Sequence, residues 1–117
     1  MRPVNLKYQG VVERSREELE VLLRSDDELD ISNALLSAAY YDPDWRWVQE
    51  KCLAFSRHPA ATVRWNSATC FGHLARIHRQ LDLEVVLQRL AELRDDPLVK
   101  SSAEDALDDI RFHIKFQ

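Results

Sequence analysis

The side chains that could do chemistry include a group of carboxylates near the C-terminus. Glu104, Asp105, Asp108 and Asp109 are spaced i, i+1, i+4 and i+5, which places all four on one face of a helix. Paired carboxylates could transfer protons, hold a metal ion or attract a basic partner. The sequence supplies no nucleophile to accompany them. We therefore predict a solvated face or a contact surface for a basic partner, rather than catalysis.

The four histidines, at positions 58, 73, 78 and 113, are the next candidates. His73 and His78 are five residues apart, whereas two ligands on one helix face need a spacing of three or four. The sequence contains no H-E-x-x-H, C-x-x-C or phosphate-binding loop. We predict solvated histidines, no metal site, no cofactor and no enzymatic activity.

Cys52 and Cys70 both lie within apolar stretches with helical spacing. Free cysteine behaves as a small hydrophobic residue, and disulfides are uncommon inside cells. We predict two reduced, buried thiols, with a disulfide as the alternative.

Composition indicates a helical globular domain. The chain has 117 residues, of which 45% are hydrophobic, 31% are charged and only two are glycine, fewer than tight sheet turns usually need. One domain spanning 1–117 is expected from this length. The sequence has neither a leader-like apolar run at its start nor 18 consecutive apolar residues. These features predict a cytoplasmic protein that does not associate with membranes.

Charge is distributed unevenly along the chain. Residues 41–80 carry six basic and three acidic side chains, whereas both ends are acidic, and the net charge is −4. Nucleic-acid-binding proteins usually have a dominant basic surface. We therefore expect no nucleic-acid partner, although binding through the basic middle of the chain remains an alternative.

Apolar spacing and capping residues predict six helices. Ser15 and Glu18 form a capping box that begins the first helix. Asp42 and Pro43 are expected to cap and begin the third helix, and Asp96 and Pro97 to do the same for the sixth. The predicted helices begin at about residues 15, 27, 43, 61, 82 and 97, and the second, third, fourth and sixth end at about residues 41, 57, 78 and 115. Weak strand spacing at Val4, Leu6 and Tyr8 lies in the N-terminal arm.

The helices repeat in pairs. The apolar pattern of the third helix recurs in the fifth at an offset of 38, and that of the fourth recurs in the sixth at an offset of 36. The second helix aligns with the fourth at an offset of 32. Such a period with two helices per unit predicts a short right-handed α-solenoid. Its parts would be the N-terminal arm 1–14 and the helical pairs 15–41, 42–80 and 81–117.

Two stretches carry a family resemblance. "DPLVKSSAEDAL", Asp96 to Leu107, resembles the second-helix signature of HEAT repeats, and "HPAATVRWNSATCFG", His58 to Gly72, is similar to it. The second stretch departs by having His58 in the Asp slot and two extra residues. The first repeat lacks the motif, because Ser32 stands in the basic slot. The resemblance implies a HEAT-like solenoid in which the basic residues, Arg64 and Lys100, pair with acidic groups of the turn or the next repeat.

Trp65 stands off the apolar stripe of its helix, between Arg64 and Asn66. Taking positions between the inward residues gives a stripe on each second helix, and in a solenoid these stripes align on the concave surface. Aromatic residues rimmed by charge are typical of protein-binding hot spots. The predicted partner-binding residues are Tyr40, Tyr41, Trp65, Thr69, His73, Arg76, Asp105, Asp109 and Phe112. Alternatively, Trp65 packs under the N-terminal arm or against a neighbouring helix.

These observations favour a non-catalytic module that masks or scaffolds a protein partner. The chain also resembles small helical-repeat immunity proteins that neutralise bacterial toxins, which implies a basic toxin domain as partner. A general adaptor role remains open. Two further alternatives come from HEAT-like relatives: a nucleic-acid-binding solenoid, and a lyase or chaperone-type protein like those that attach bilins.

Overall fold

The computed structural model describes residues 10–114, and this part of the chain is all-α. The helices are α1 (Arg16–Leu23), α2 (Glu28–Tyr41), α3 (Trp45–Phe55), α4 (Ala61–His78), α5 (Leu83–Leu93) and α6 (Lys100–His113). Residues 10–14 of the predicted arm contain neither helix nor strand. The weak strand signal at Val4, Leu6 and Tyr8 lies outside the described residues.

The capping box at the start of α1 is confirmed. The Glu18 amide donates to Ser15 Oγ over 3.1 Å, and the Ser15 amide donates to Glu18 Oε1 over 3.0 Å. Asp27 begins α2 in the same way, since its carboxylate accepts from the Leu29 amide at 2.9 Å. Each cap provides a partner for an amide that has none within its helix.

The third helix begins later than the sequence predicted. Asp44, not Asp42, is its N-cap and accepts from the Trp47 amide at 3.2 Å. The Asp42 carboxylate instead accepts two bonds from the Arg16 guanidinium, both 3.0 Å long, and one from the Asp44 amide at 2.9 Å. The Asp42 carboxylate, which the sequence predicted as the cap of α3, is therefore bound to Arg16 of another helix.

The sixth helix is also shorter than predicted. Asp96 Oδ1 accepts from the Leu98 amide at 3.0 Å and closes a turn that contains Pro97, so that α6 begins only at Lys100. The helix ends at His113 because the next residue, Ile114, is extended. Lys115, its predicted end, lies outside the described residues.

Consecutive helices pack in three pairs, α1 with α2, α3 with α4 and α5 with α6. The second helices also pack side by side, because α4 lies against both α2 and α6. The molecule extends 49 × 29 × 28 Å. The six-helix, all-α prediction is confirmed for the described residues, and this stacking agrees with the proposed repeat. The right-handed α-solenoid and its division into the pairs 15–41, 42–80 and 81–117 remain predictions.

The core follows the predicted apolar stripes. On α4, the side chains of Val63, Cys70, Phe71 and Leu74 are completely buried. Gly72 on the same helix permits a close approach to α6, because a Cβ there would lie 3.3 Å from the Ala106 Cα. The α4 backbone can therefore approach α6 more closely than a larger residue would allow.

Arginine side chains join the three helical pairs. Arg16 of α1 binds Asp42 and stacks on Trp47, with its Cζ 3.9 Å from the ring centre. Arg64 bonds to Asp96 at 3.1 Å and to the carbonyls of His58 and Pro59. The structural role predicted for Arg64 is thus confirmed, whereas Lys100 is exposed.

The ion pair between Arg16 and Asp42 lowers the pKa of the Asp42 carboxyl. Burial pushes the pKa of Asp42 upward, but the hydrogen bonds from Arg16 and the Asp44 amide outweigh that effect and hold its pKa below the usual value. The carboxylate therefore stays ionised and bound to Arg16 at neutral pH. This contact fastens α1 to the segment that precedes α3.

Leu90 provides a test of the packing between pairs, since its side chain is fully buried on α5. Leu90→Ala should destabilise the protein by about 2–5 kcal/mol, because it removes buried methyl groups and leaves a cavity. Urea unfolding measures the change, with Val85→Ala, at a position 45% exposed, as control. A Leu90→Ala loss below about 1 kcal/mol would show that α5 is packed differently.

The cysteines provide a second test, because both are free and completely buried. A hydrogen bond with Cys52, together with burial, raises the pKa of the Cys70 thiol. Both thiols should react slowly with a thiol reagent in the native protein and rapidly after denaturation, since the thiolate is the reactive form. Mass spectrometry follows the labelling. Rapid native labelling, or a mass two units low, would contradict the buried-thiol assignment.

Candidate protein-binding face

The nine predicted contact residues lie on the three second helices. We call this set of residues on α2, α4 and α6 the second-helix face. Phe112, Tyr41 and Trp65 have exposed fractions of 84%, 45% and 39%. The face comprises five exposed residues, Tyr41, Trp65, Arg76, Asp105 and Phe112, and four half-buried ones, Tyr40, Thr69, His73 and Asp109.

Ser102 sets the register of α4 against α6. Its hydroxyl donates to the Trp65 carbonyl over 2.7 Å and lies 2.9 Å from Thr69 Oγ1. Because the Ser102 hydroxyl has only one proton, Thr69 must donate to it. These bonds place the first turn of α6 beside the second and third turns of α4. Ser102 was not among the residues predicted from the sequence, although an offset of 37 from Trp65 would have identified it.

Trp65 is held by its backbone and exposed through its side chain. The bond from Ser102 fixes its carbonyl, whereas 39% of the residue surface remains accessible. The arm residue Val11 accepts a 3.0 Å hydrogen bond from the Tyr41 hydroxyl, so the described part of the arm is anchored at Tyr41. Trp65 thus presents part of a large aromatic side chain to solvent from a backbone that α6 holds in place.

Tyr40, His73 and Arg76 form a connected cluster between α2 and α4. The Tyr40 and His73 ring centres are 4.9 Å apart in an edge-to-face arrangement. Arg76 Nη2 lies 3.1 Å from His73 Nδ1, and its Cζ lies 5.6 Å from the Tyr40 ring centre. The structure therefore brings together three of the residues that the sequence selected on two different helices.

His73 is neutral in this cluster. Burial lowers its pKa, the positive charge of Arg76 lowers it further, and the carboxylate of Asp109 opposes both effects. Arg76 has only donors, so His73 Nδ1 must accept and the ring proton is assigned to Nε2. A neutral imidazole consequently orients the exposed guanidinium.

The four carboxylates of α6 divide into two kinds. Glu104 lies 3.8 Å from Arg94, and Asp108 lies 3.2 Å from Arg111, so these two charges have counter-ions within the protein. Within residues 10–114, no ion pair includes Asp105 or Asp109. Asp109 lies beside Gly72, where its Oδ2 would be only 2.6 Å from a Cβ at that position. Charge available to a partner is therefore found on the second-helix face.

Phe112 is placed apart from the other aromatic residues of the face. Its described ring contact is with His113 of the same helix, at 4.9 Å between centres. Tyr41, by contrast, lies against Tyr40 with ring centres 6.1 Å apart. The structure thus joins Tyr40 and Tyr41 to the His73 cluster and leaves Phe112 as a separate exposed ring.

Metal ligands and membrane-spanning helices would indicate other kinds of function. Residues 10–114 contain no group of three or more His, Cys, Asp and Glu side chains that could hold a metal ion. No described helix has the length and apolar character needed to cross a membrane.

No protein-family model and no curated protein matches the chain. Among solved structures, it is similar to a chain in the crystal structure of the CDI complex from Cupriavidus taiwanensis LMG 19424. The two chains are 34% identical, the match covers 97% of each, and the TM-score is 0.83. The chain belongs to the family of that CDI-complex protein. The HEAT resemblance remains a likeness of short motifs and is not supported by a family match.

The depressed pKa of His73 predicts a loss of stability in mild acid. In the unfolded chain the imidazole takes up a proton near its usual pKa of about 6.5, whereas the folded protein resists protonation until lower pH. Stability should therefore decline as pH falls below about 6.5, and less steeply in His73→Asn. Asn keeps an acceptor for Arg76 but does not titrate.

Urea unfolding at pH 7.5 and 5.5 compares the two proteins, so that contributions from the other histidines cancel. The groups that face His73 are Tyr40 from α2, Arg76 on α4 and Asp109 from α6. Equal pH dependence in both proteins, or an NMR titration that places the His73 pKa above its usual value, would contradict the assignment.

Proposed function

We propose that this protein is a non-catalytic binding module of the immunity type, which masks a toxin domain by covering part of its surface. The observation that carries the proposal is the likeness, over 97% of both chains, to a protein solved within a CDI complex. Identity of 34% over that length supports a shared mode of action as well as a shared fold. The second-helix face is the surface that we assign to the partner.

The composition of that face supports a binding role. Trp65 and Tyr41 are large aromatic residues that already form hydrogen bonds within the chain. The Trp65 carbonyl accepts from Ser102, and the Tyr41 hydroxyl donates to the Val11 carbonyl. Aromatic residues of this kind contribute most of the binding energy in many interfaces. Because the Trp65 backbone and the Tyr41 hydroxyl are already held, these two residues would lose less conformational freedom when a partner binds.

The unpaired carboxylates support a partner with basic character. Asp105 is exposed, and neither Asp105 nor Asp109 is neutralised by an ion pair within the described chain. Exposed charges of this kind accelerate the encounter with an oppositely charged surface more than they tighten the final complex. We therefore propose a toxin domain that presents basic residues to α6.

The nucleic-acid alternative has less support in the described structure. Arg16 and Arg64, two of the eight basic residues between positions 15 and 80, bind carboxylates and carbonyls at the junctions between pairs. A guanidinium that is occupied in this way contributes little to phosphate binding. No observation favours the lyase or chaperone alternative over protein binding.

The proposed function is tested by binding and by protection. The probes are the other chain of the Cupriavidus complex and the product of the gene immediately upstream of this one, where that gene encodes a toxin domain. We expect a stable one-to-one complex with at least one of them and loss of its toxic activity on binding. Tight binding to nucleic acid in place of either protein would overturn the proposal.

Trp65→Ala should weaken partner binding by at least about tenfold, because truncating a central aromatic residue commonly costs about 2–4 kcal/mol. Its melting temperature should change little, since the side chain is 39% exposed and the Ser102 bond uses the backbone. Calorimetry and thermal unfolding measure the two effects, with Val85→Ala as an exposed control on α5. If Trp65→Ala unfolds the domain and the folded fraction binds normally, Trp65 is structural.

Asp105→Asn combined with Asp109→Asn should lower the association rate and its salt dependence, with less effect on dissociation. The control is Glu104→Gln combined with Asp108→Asn, which makes the same charge change on the same helix at residues that already pair with Arg94 and Arg111. Stopped-flow association at several salt concentrations distinguishes them. Equal slowing by both double variants would mean that overall charge, and not the second-helix face, guides the encounter.

A further inference from the structure

Arg76 differs from the arginines that hold the fold together. Arg16, Arg64 and Arg89 each bind a carboxylate at 3.1 Å or less, and each also contacts a neighbouring pair of helices. Arg76 is exposed, and within residues 10–114 it forms no ion pair. The described fold therefore leaves its charge without a counter-ion.

The guanidinium of Arg76 is nevertheless held in place. His73 Nδ1 accepts from Nη2 at 3.1 Å, and the Tyr40 ring lies 5.6 Å from Cζ. Tyr40 and His73 also contact each other, so Arg76 rests on a connected support drawn from two helices. One acceptor uses only one of the five N–H groups, which leaves the others to bind a planar anion.

We propose that Arg76 is the anchor for a carboxylate side chain of the protein partner, with His73 and Tyr40 as its positioning residues. The inference rests on the proposed function and deepens it by specifying one acidic residue at a defined place on an otherwise basic partner surface. A planar guanidinium matches a carboxylate through two parallel hydrogen bonds. Its prior orientation reduces the ordering cost of forming that pair.

The position of Arg76 makes it a determinant of specificity. Arg76 lies seven residues beyond Thr69 on α4, roughly 10 Å of helix rise, and Thr69 is beside the first turn of α6. Asp105 follows one turn after Ser102 on α6. The exposed carboxylate of Asp105 thus lies toward one end of the face and Arg76 toward the other, whereas the half-buried Asp109 lies near His73, on the Arg76 side. A partner that is basic throughout would place a like charge against Arg76, so the arrangement selects a partner with an acid there.

The first experiment needs no identified partner. The probe is a synthetic tetraglutamate peptide, with tetralysine as its control, titrated into the isotope-labelled protein and followed by NMR of the arginine and histidine side chains. We expect saturable shifts at Arg76 and His73 with tetraglutamate. Arg46 is the internal control, because its Cζ lies 4.5 Å from the Trp45 ring centre and it is also exposed. Equal shifts at Arg46 and Arg76 would overturn the proposal.

The second experiment uses the toxin-domain partner. Arg76→Gln should weaken the complex by at least about tenfold, and Arg46→Gln by less than about twofold, because only the first removes a charge that meets a buried carboxylate. His73→Leu should weaken binding in part, and His73→Asn should restore it by returning an acceptor for Arg76. Restoration by Asn would not be expected if His73 served only to fill space.

The outcomes separate this inference from the proposed function. If the wild-type protein binds neither toxin probe, the proposed function fails, while the peptide titration still decides whether Arg76 selects carboxylates. If the wild type binds and Arg76→Gln binds equally well, the inference fails and the proposed function stands. If a short RNA shifts Arg76 more strongly than tetraglutamate does, the anchor is a phosphate site and the carboxylate assignment is wrong.

Discussion

The contact between α4 and α6 is the constraint on which the candidate site depends. Gly72 lets the two helices approach, since any Cβ there would lie 3.3 Å from the Ala106 backbone. Ser102 then fixes their register through the Trp65 carbonyl. With α4 held in this way, Asp109 lies near His73, and the charged and aromatic residues of separate helices form one face. A side chain at position 72 would disturb the fold and this face together.

Arginine has two distinct uses in this protein. At the junctions between helical pairs, Arg16 and Arg64 are directed at carboxylates and contribute to the fold. On the second-helix face, Arg76 has an imidazole and an aromatic ring as its supports and keeps its charge for solvent or a partner. An arginine is structural where a carboxylate lies within reach, as for Arg16 and Arg64, and it is available to a partner where none does, as for Arg76 within the described residues.

The family relationship and the surface chemistry support the same proposal independently. Likeness to a protein of a CDI complex bears on what kind of role the chain has. The distribution of exposed rings and unpaired charges bears on which surface performs that role. An immunity-type protein needs selectivity as well as affinity, and a face that presents both an exposed carboxylate, Asp105, and an exposed guanidinium, Arg76, provides both signs of charge for that selectivity. Neither observation depends on the HEAT-like motifs.

Sequence alone determined the helices and much of the core, because capping residues and apolar spacing act over only a few positions. The Ser15 capping box, the bounds of α4 and the buried positions of Cys52 and Cys70 were all predicted. Tertiary structure decided which charges are occupied. Asp42 was predicted as a cap but binds Arg16, and the four α6 carboxylates separated into paired and unpaired kinds. Spacing shows that side chains share a helix face, and it places Arg111 near Asp108 on α6. The counter-ions of Asp42 and Glu104, which are Arg16 and Arg94, come from other parts of the chain and are fixed only by packing.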